Sequence, residues 1–250
     1  MNATYDSDYL RDADKHAQHS AAFLGDARVN FVRKVFGIVA AQLSVTALFI
    51  GLSAFSTLYV SFLEATPFLT LLSALGSLVT MLILVFSREL SRTYPKNYYL
   101  LGAFTLCESH LVSSITAYYE PLVVFEAMLV TAAIVAALTL YAFTTKREIT
   151  YFMGLIWMLA LGSLFVGIVG IFFRGAFMHL LYALIGTVVA GLYLIYDIKA
   201  IMGNHGYLKV DIDDYVRGAL NLYIDIIRIF IKILEFLGKD NNNNKNNKKK

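Results

Sequence analysis

Five polar residues recur through an otherwise apolar stretch near the C-terminal end: Asn221, Asp225, Arg228, Lys232 and Glu235. Their steps of four, three, four and three put them on one narrow helix face at about 100° per residue. Every other residue of 220–237 is Leu, Ile, Phe or Tyr. A second acid, Asp197, lies in the apolar segment just before, and Glu108 and Glu126 lie in two earlier ones. Carboxyl groups in such surroundings can exchange protons, or offer oxygens to a hard cation such as Ca²⁺. A single polar stripe also suits a helix lying flat on a membrane. Here it follows segments that can only be membrane spans, so the expectation is that it turns inward towards other helices.

The elements that must position these acids follow from composition. The chain is 58% hydrophobic and 16% charged, with a mean hydropathy of +0.63. Its apolar residues come in long runs, not in alternation, which predicts an all-α polytopic membrane protein and excludes a transmembrane barrel. Residues 1–32 form a polar arm with no signal-peptide core, expected to be flexible apart from its last turn. Six spans are predicted at Val35–Tyr59, Phe68–Phe86, Tyr98–Ala117, Leu122–Phe143, Tyr151–Phe173 and Phe177–Met202, each long enough at ~20 residues to cross. The only prolines, Pro67, Pro95 and Pro121, each precede a span, where a missing N–H costs least.

Lys and Arg gather in alternate connections: Arg88, Arg92 and Lys96, then Lys146 and Arg147, then Lys199 and Lys209, with Arg174 the exception. By the positive-inside rule the N-terminus and those connections are cytosolic. The striped segment Tyr215–Leu237 either dips in and returns or crosses as a seventh span. A full crossing is favoured, although each central charge costs roughly 2.5–3.5 kcal/mol on insertion scales and needs other helices around it. The chain thus divides into the arm 1–32, a membrane domain 33–237 and a disordered Asn/Lys-rich tail 238–250. The one cysteine, Cys107, rules out an internal disulfide. No glycine-rich phosphate loop, HExxH, Cys pair or nucleophile elbow is present, so no enzyme activity and no cofactor are expected. The basic residues sit at span edges and in the tail, which argues against nucleic acid as a partner.

Several local patterns resemble one family. They are Arg33-Lys34-Val35-Phe36 with Gln42-Leu43 and Thr46, Tyr94-Pro95-Lys96-Asn97 followed by LLGAFTL, and Thr145-Lys146. Ile195-Tyr196-Asp197 and Leu222-Tyr223-Ile224-Asp225-Ile226-Ile227 complete the set. In order along residues 28–237 these resemble the Bax inhibitor (lifeguard) family, most closely its Golgi anti-apoptotic branch. The resemblance implies seven transmembrane helices, the last central and wrapped by the other six. It also implies a pH-sensitive Ca²⁺ leak in Golgi or endoplasmic-reticulum membranes, lowering store calcium and inhibiting apoptosis. Control would fall to Asp197, Asp225 and an arginine, Arg88, with Arg92 as the weaker alternative. Glu108 and Asp213 match acidic positions of the Golgi branch, whereas His179 and Glu126 depart from it. Partners implied are membrane lipids, Ca²⁺, H⁺ and membrane proteins of cell-death control.

The physics of these residues points the same way. Segments six and seven are joined by a short connection, so they pack antiparallel. Asp197 lies about 8 Å from the end of one and Asp225 about 16 Å into the other, at 1.5 Å per residue, and tilt of ~20° lets them meet. Gly186, Ala190 and Tyr193 share the Asp197 face, with Gly191 beside it, so the helices can approach closely. Two touching carboxyls in a low dielectric cannot both ionise cheaply; one holds or shares a proton. Protonated, they staple the two helices. Deprotonated, they repel and present oxygens to a passing Ca²⁺, with Arg88 as counter-charge. The competing readings are that the pair serves packing alone and that Arg88 only snorkels to headgroups. Arg228 and Lys232 would pair with Glu235 or headgroups. Glu108 and Glu126 would line an aqueous path or hydrogen-bond in protonated form. A non-conducting scaffold and an H⁺/Ca²⁺ exchanger are the alternative functions.

Overall fold

The structure is a computed structural model describing residues 2–145, 158, 159, 161, 162, 164, 168, 176–203 and 214–248; side chains are described at 25–145, those six isolated positions, 181–203 and 214–238. Most of the predicted fifth span, Tyr151–Phe173, and Lys146, Arg147, Arg174, Lys209 and Asp213 lie outside the described residues, as does the side chain of His179.

Among the described residues there are eight helices and no strand: α1 (Asn2–Phe55), α2 (Thr57–Ala65), α3 (Pro67–Phe86), α4 (Arg88–Arg92), α5 (Lys96–Thr116), α6 (Pro121–Thr144), α7 (Ala176–Met202) and α8 (Tyr215–Lys248). Two of these fall in predicted connections. The first span ends at Phe55, not Tyr59, because Ser56 turns the chain and its Oγ accepts the Tyr59 amide as N-cap of α2. Ser87 likewise caps α4, accepting from the Leu90 amide at 3.4 Å. At 9 and 5 residues, α2 and α4 are too short to cross a membrane. Pro67 and Pro121 occupy first-turn positions of α3 and α6, and Pro95, after a cis bond, is the N-cap of α5.

The backbone is helical from Asn2 in α1 and through Lys248 in α8, ranges that take in the polar arm and the Asn/Lys-rich tail. Once a ladder is nucleated it extends one bond per residue, and neither end contains a proline to stop it.

Four helices are long and apolar enough to cross a bilayer: Gly25–Phe55, Pro67–Phe86, Pro121–Thr144 and Leu181–Met202. Side-chain placement names the solvent. In α3 the buried residues are Ser73, Ser77 and Leu84, while Phe68, Leu71, Leu72, Leu75, Leu78 and Val79 are exposed. In α5 the interior receives Asn97, Thr105, Ser109, His110, Ser113 and Thr116, and Leu106 and Ile115 face out. Such inverted helices expose no polar group to lipid and satisfy their hydroxyls against one another. The chain is an integral membrane protein.

Hydrogen bonds set the register. Gln42 Nε2 donates to Thr105 Oγ1, Thr46 Oγ1 meets Ser109 Oγ and Ser53 Oγ meets Thr116 Oγ1, each at 2.9 Å. The offset of 63 residues is constant over all three pairs, so α1 and α5 run parallel. In contrast α3 opposes α5, with Gly76 against Cys107 and Thr70 against Ser114. Helix α8 runs parallel to α1: Gly218 lies against Val35, and Tyr223 Oη meets Thr46 Oγ1 at 2.8 Å.

The core is built around α8, which packs against α1, α3, α4, α5, α6 and α7. Its Val216, Ala219, Leu220, Tyr223, Ile229 and Leu234 have no measurable exposure, and they point to several sides of the helix. Asp214, just before α8, pairs with Arg92 at one end of the bundle. At the other, Gly238 abuts the Tyr119 ring in the turn joining α5 to α6, leaving no room for a Cβ. Helix α8 therefore runs from the 87–97 connection to the 118–121 turn.

Candidate functional site

The antiparallel α7 and α8 bring Asp197 and Asp225 together. Asp197 is partly buried, and its carboxyl reaches those of Asp225 and the side chain of Asn221 within hydrogen-bonding range. Asp225 is 3% exposed. Its Oδ1 lies 3.9 Å from Arg228 Nη1, and its buried Oδ2 has no donor among neighbouring groups. Two ionised carboxylates cannot donate to one another, so a proton held between them would satisfy that oxygen.

Arg228, one helical turn beyond Asp225, is the cation of this site. Its field reaches Asp197 and Glu108 as well as Asp225. Glu108 stands on α5 beside Ser77 of α3, whose Oγ donates to the Ala74 carbonyl at 3.1 Å. The Arg228 guanidinium itself is largely exposed, and among the described residues its one close acid is Asp225. Arg88 does not take that place. It is exposed at the start of α4 and makes no ion pair among the described residues, because it follows the end of α3, well past Ser77 where that helix faces Glu108. The i, i+3 spacing of Asp225 and Arg228 was the available sequence signal for the true partner.

Arg92 pairs elsewhere. Its Nε lies 3.7 Å from Asp214 Oδ2, which is also 3.9 Å from Arg217 Nη1. Arg217 Nη2 in turn donates to the Val85 carbonyl at the end of α3. Asp214 is 2% exposed with Oδ1 unpartnered. This clasp ties α3, α4 and α8 and was missed in the sequence, where Asp213 drew attention instead. Glu126 is exposed on α6 and takes no part in the cluster. His110 is buried with Nε2 unpartnered. Among the described residues no group of three or more His, Cys, Asp or Glu side chains is placed to hold a metal.

The small residues on α7 divide their work. Gly186 receives the stem of Lys232, whose Cδ lies 3.1 Å from where a Cβ would be, whereas Gly191 faces Leu138 of α6 at 3.0 Å. Tyr59 Oη meets Ser113 Oγ at 2.9 Å.

A helical bundle with apolar faces outward and hydroxyls and carboxyls inward defines a polytopic membrane protein. The family model for the inhibitor of apoptosis-promoting Bax1 matches residues 28–242, and the chain belongs to that family. Mouse protein lifeguard 4 is 34% identical over 214 residues, covering 84% of this chain and 85% of its own length. Human protein lifeguard 3 is 32% identical over 218 residues, with coverage of 86% and 70%. The Golgi anti-apoptotic protein of vaccinia virus (strain Lister) is 31% identical over 218 residues, with coverage of 86% and 87%.

Proposed function

We propose that this protein is a pH-sensitive Ca²⁺ leak of an intracellular membrane, the Golgi or endoplasmic reticulum, that restrains apoptosis by lowering stored calcium. Residues 33–237 would cross seven times, with the N-terminus cytosolic by the positive-inside rule, α8 as the central seventh span and the other six around it. The family's description and the vaccinia relative's name support the anti-apoptotic part; the channel part rests on the site.

The observation that carries it is the placing of Asp197 beside Asp225 across α7 and α8, with Asp225 Oδ2 buried and without a protein donor. With the proton in place the two carboxyls hold α7 against α8. Its loss puts two negative charges in contact in a low dielectric, which drives the helices apart and leaves carboxylate oxygens suited to Ca²⁺. The sign follows: protonation closes, so flux rises with pH. Arg228 limits the repulsion and Glu108 extends the line of acids towards α5.

The test is Ca²⁺ entry into liposomes holding the purified full-length protein, followed by a trapped dye across about pH 6–8. The leak reading expects flux that climbs with pH and is altered by Asp197→Asn and Asp225→Asn. Unchanged flux and unchanged pH dependence in both variants would sink it. The family's description and the vaccinia relative's name speak of apoptosis and not of ions, which favours a second reading, a non-conducting scaffold. That reading expects no flux from wild type, with cell protection lost on deleting residues 240–250 or the N-terminal arm. An exchanger would show H⁺ counterflow driven by Ca²⁺.

A further inference from the structure

Two turns beyond Asp225 and on the same face of α8, a second charge enters the α7–α8 seam. Lys232 is 82% buried at its side chain and does not snorkel outward, as a lysine near a membrane edge ordinarily would. Its stem passes through the notch left by Gly186, with Cδ and Cε 3.1 and 3.2 Å from the position of an absent Cβ. Its Nζ lies 4.1 Å from the centre of the Tyr182 ring and 2.9 Å from Glu235 Oε2. Gly186 is three turns before Asp197 on the same face of α7, so the seam presents successive rungs: Asp197 with Asp225, then Gly186 with Lys232. At 1.5 Å per residue the ammonium stands about 10 Å past the acid pair, towards the end of the bundle where Tyr119 lies. Glu235, 39% exposed at its side chain, faces that end and only partly neutralises it.

We propose that Lys232, held by Tyr182 and Glu235 in the Gly186 notch, is a charge filter at the far mouth of the α7–α8 seam that sets how fast divalent cations pass. This deepens the leak reading and rests on it. A fixed ammonium repels a passing Ca²⁺ twice as strongly as a monovalent cation, and the low dielectric of the seam magnifies the difference. Glu235 tempers the barrier by lending its carboxylate to the ammonium. The pair therefore works as a resistor in series with the aspartate gate.

The experiment uses the full-length protein in dye-loaded liposomes, with Ca²⁺ and K⁺ entry measured for wild type, Lys232→Met, Glu235→Gln and Asp225→Asn. Lys232→Met keeps the stem and removes the charge, so Ca²⁺ entry should rise about tenfold, equivalent to ~1.4 kcal/mol off the barrier, and K⁺ entry by less. Glu235→Gln bares the ammonium, so Ca²⁺ entry should fall by about as much. Opposite signs are the signature, because a pair that merely braces the helices would loosen them and raise both fluxes in either variant. Equal-sign changes, or both variants within about twofold of a conducting wild type that Asp225→Asn still alters, overturn the filter and leave the leak standing. A wild type that conducts no Ca²⁺ overturns both.

Discussion

Asp225 occupies a position where an ionised carboxylate has one oxygen facing Arg228 and the other facing a second acid. Asparagine at 225 would offer an N–H to Asp197 at every pH, supplying permanently the hydrogen bond that a proton supplies conditionally. Asp225→Asn should therefore give low flux without pH dependence, read from the slope of dye-reported entry against pH. Tyr223, with no exposure, joins α8 to α1 through its 2.8 Å bond to Thr46, itself bonded to Ser109. Tyr223→Phe removes that hydroxyl but leaves the Thr46–Ser109 pair intact. The cost should be about 1 kcal/mol, seen as a thermal midpoint lower by a few degrees, with flux at fixed pH little changed.

At the scale of elements, α7 depends on a cap from another helix. Arg28 Nη2 on α1 donates to the Ala200 carbonyl at 2.8 Å, and the guanidinium packs against Gly203, whose φ of 68° ends the helix in the left-handed region. A cation at a helix C-terminus satisfies an orphan carbonyl and complements the macrodipole. Since Asp197 lies less than one turn before Ala200, this cap also steadies the acid pair. Arg28→Ala should cost about 1.5–3 kcal/mol locally, measured as faster amide hydrogen exchange at 198–203 than in α5. Helix α5 carries a different lesson. Its hydroxyls keep it out of the four most apolar helices, yet its constant register with α1 places it at the same depth throughout, as expected of the predicted span Tyr98–Ala117.

Across the whole molecule, α8 sits at the centre and joins both ends. Lys34 Nζ stands 3.5 Å over the centre of the Tyr215 ring at the end where Asp214 meets Arg92, and Gly238 meets Tyr119 at the other. A helix that dipped in and returned could not touch both. A tag after Lys250 should accordingly be protected from protease in sealed vesicles whose cytosolic face is outward, while a tag before Met1 is cleaved. Cleavage of both tags would contradict the crossing. The tail's lysines favour the cytosol by composition; the crossing reading sets against them the packing of α8 on six helices, with Asp225 and most of Lys232 buried and Arg228 exposed.

Sequence alone determined the membrane class, the helical class and the helix starts at Pro67 and Pro121, and it singled out Asp197 and Asp225 as acids of two neighbouring helices. Each follows from local rules: run length, proline's missing N–H, and the geometry of two helices on a short connection. Tertiary structure decided the rest. Arg88 and Arg228 are both exposed cations, and only the fold shows that Arg228 lies 3.9 Å from Asp225 while Arg88 makes no ion pair among the described residues. Lys232 reads as a snorkelling residue until Gly186 and Tyr182, nearly fifty positions away, are seen to receive it. Charges inside a membrane take their meaning from what surrounds them, and those surroundings come from helices that the chain brings together only on folding.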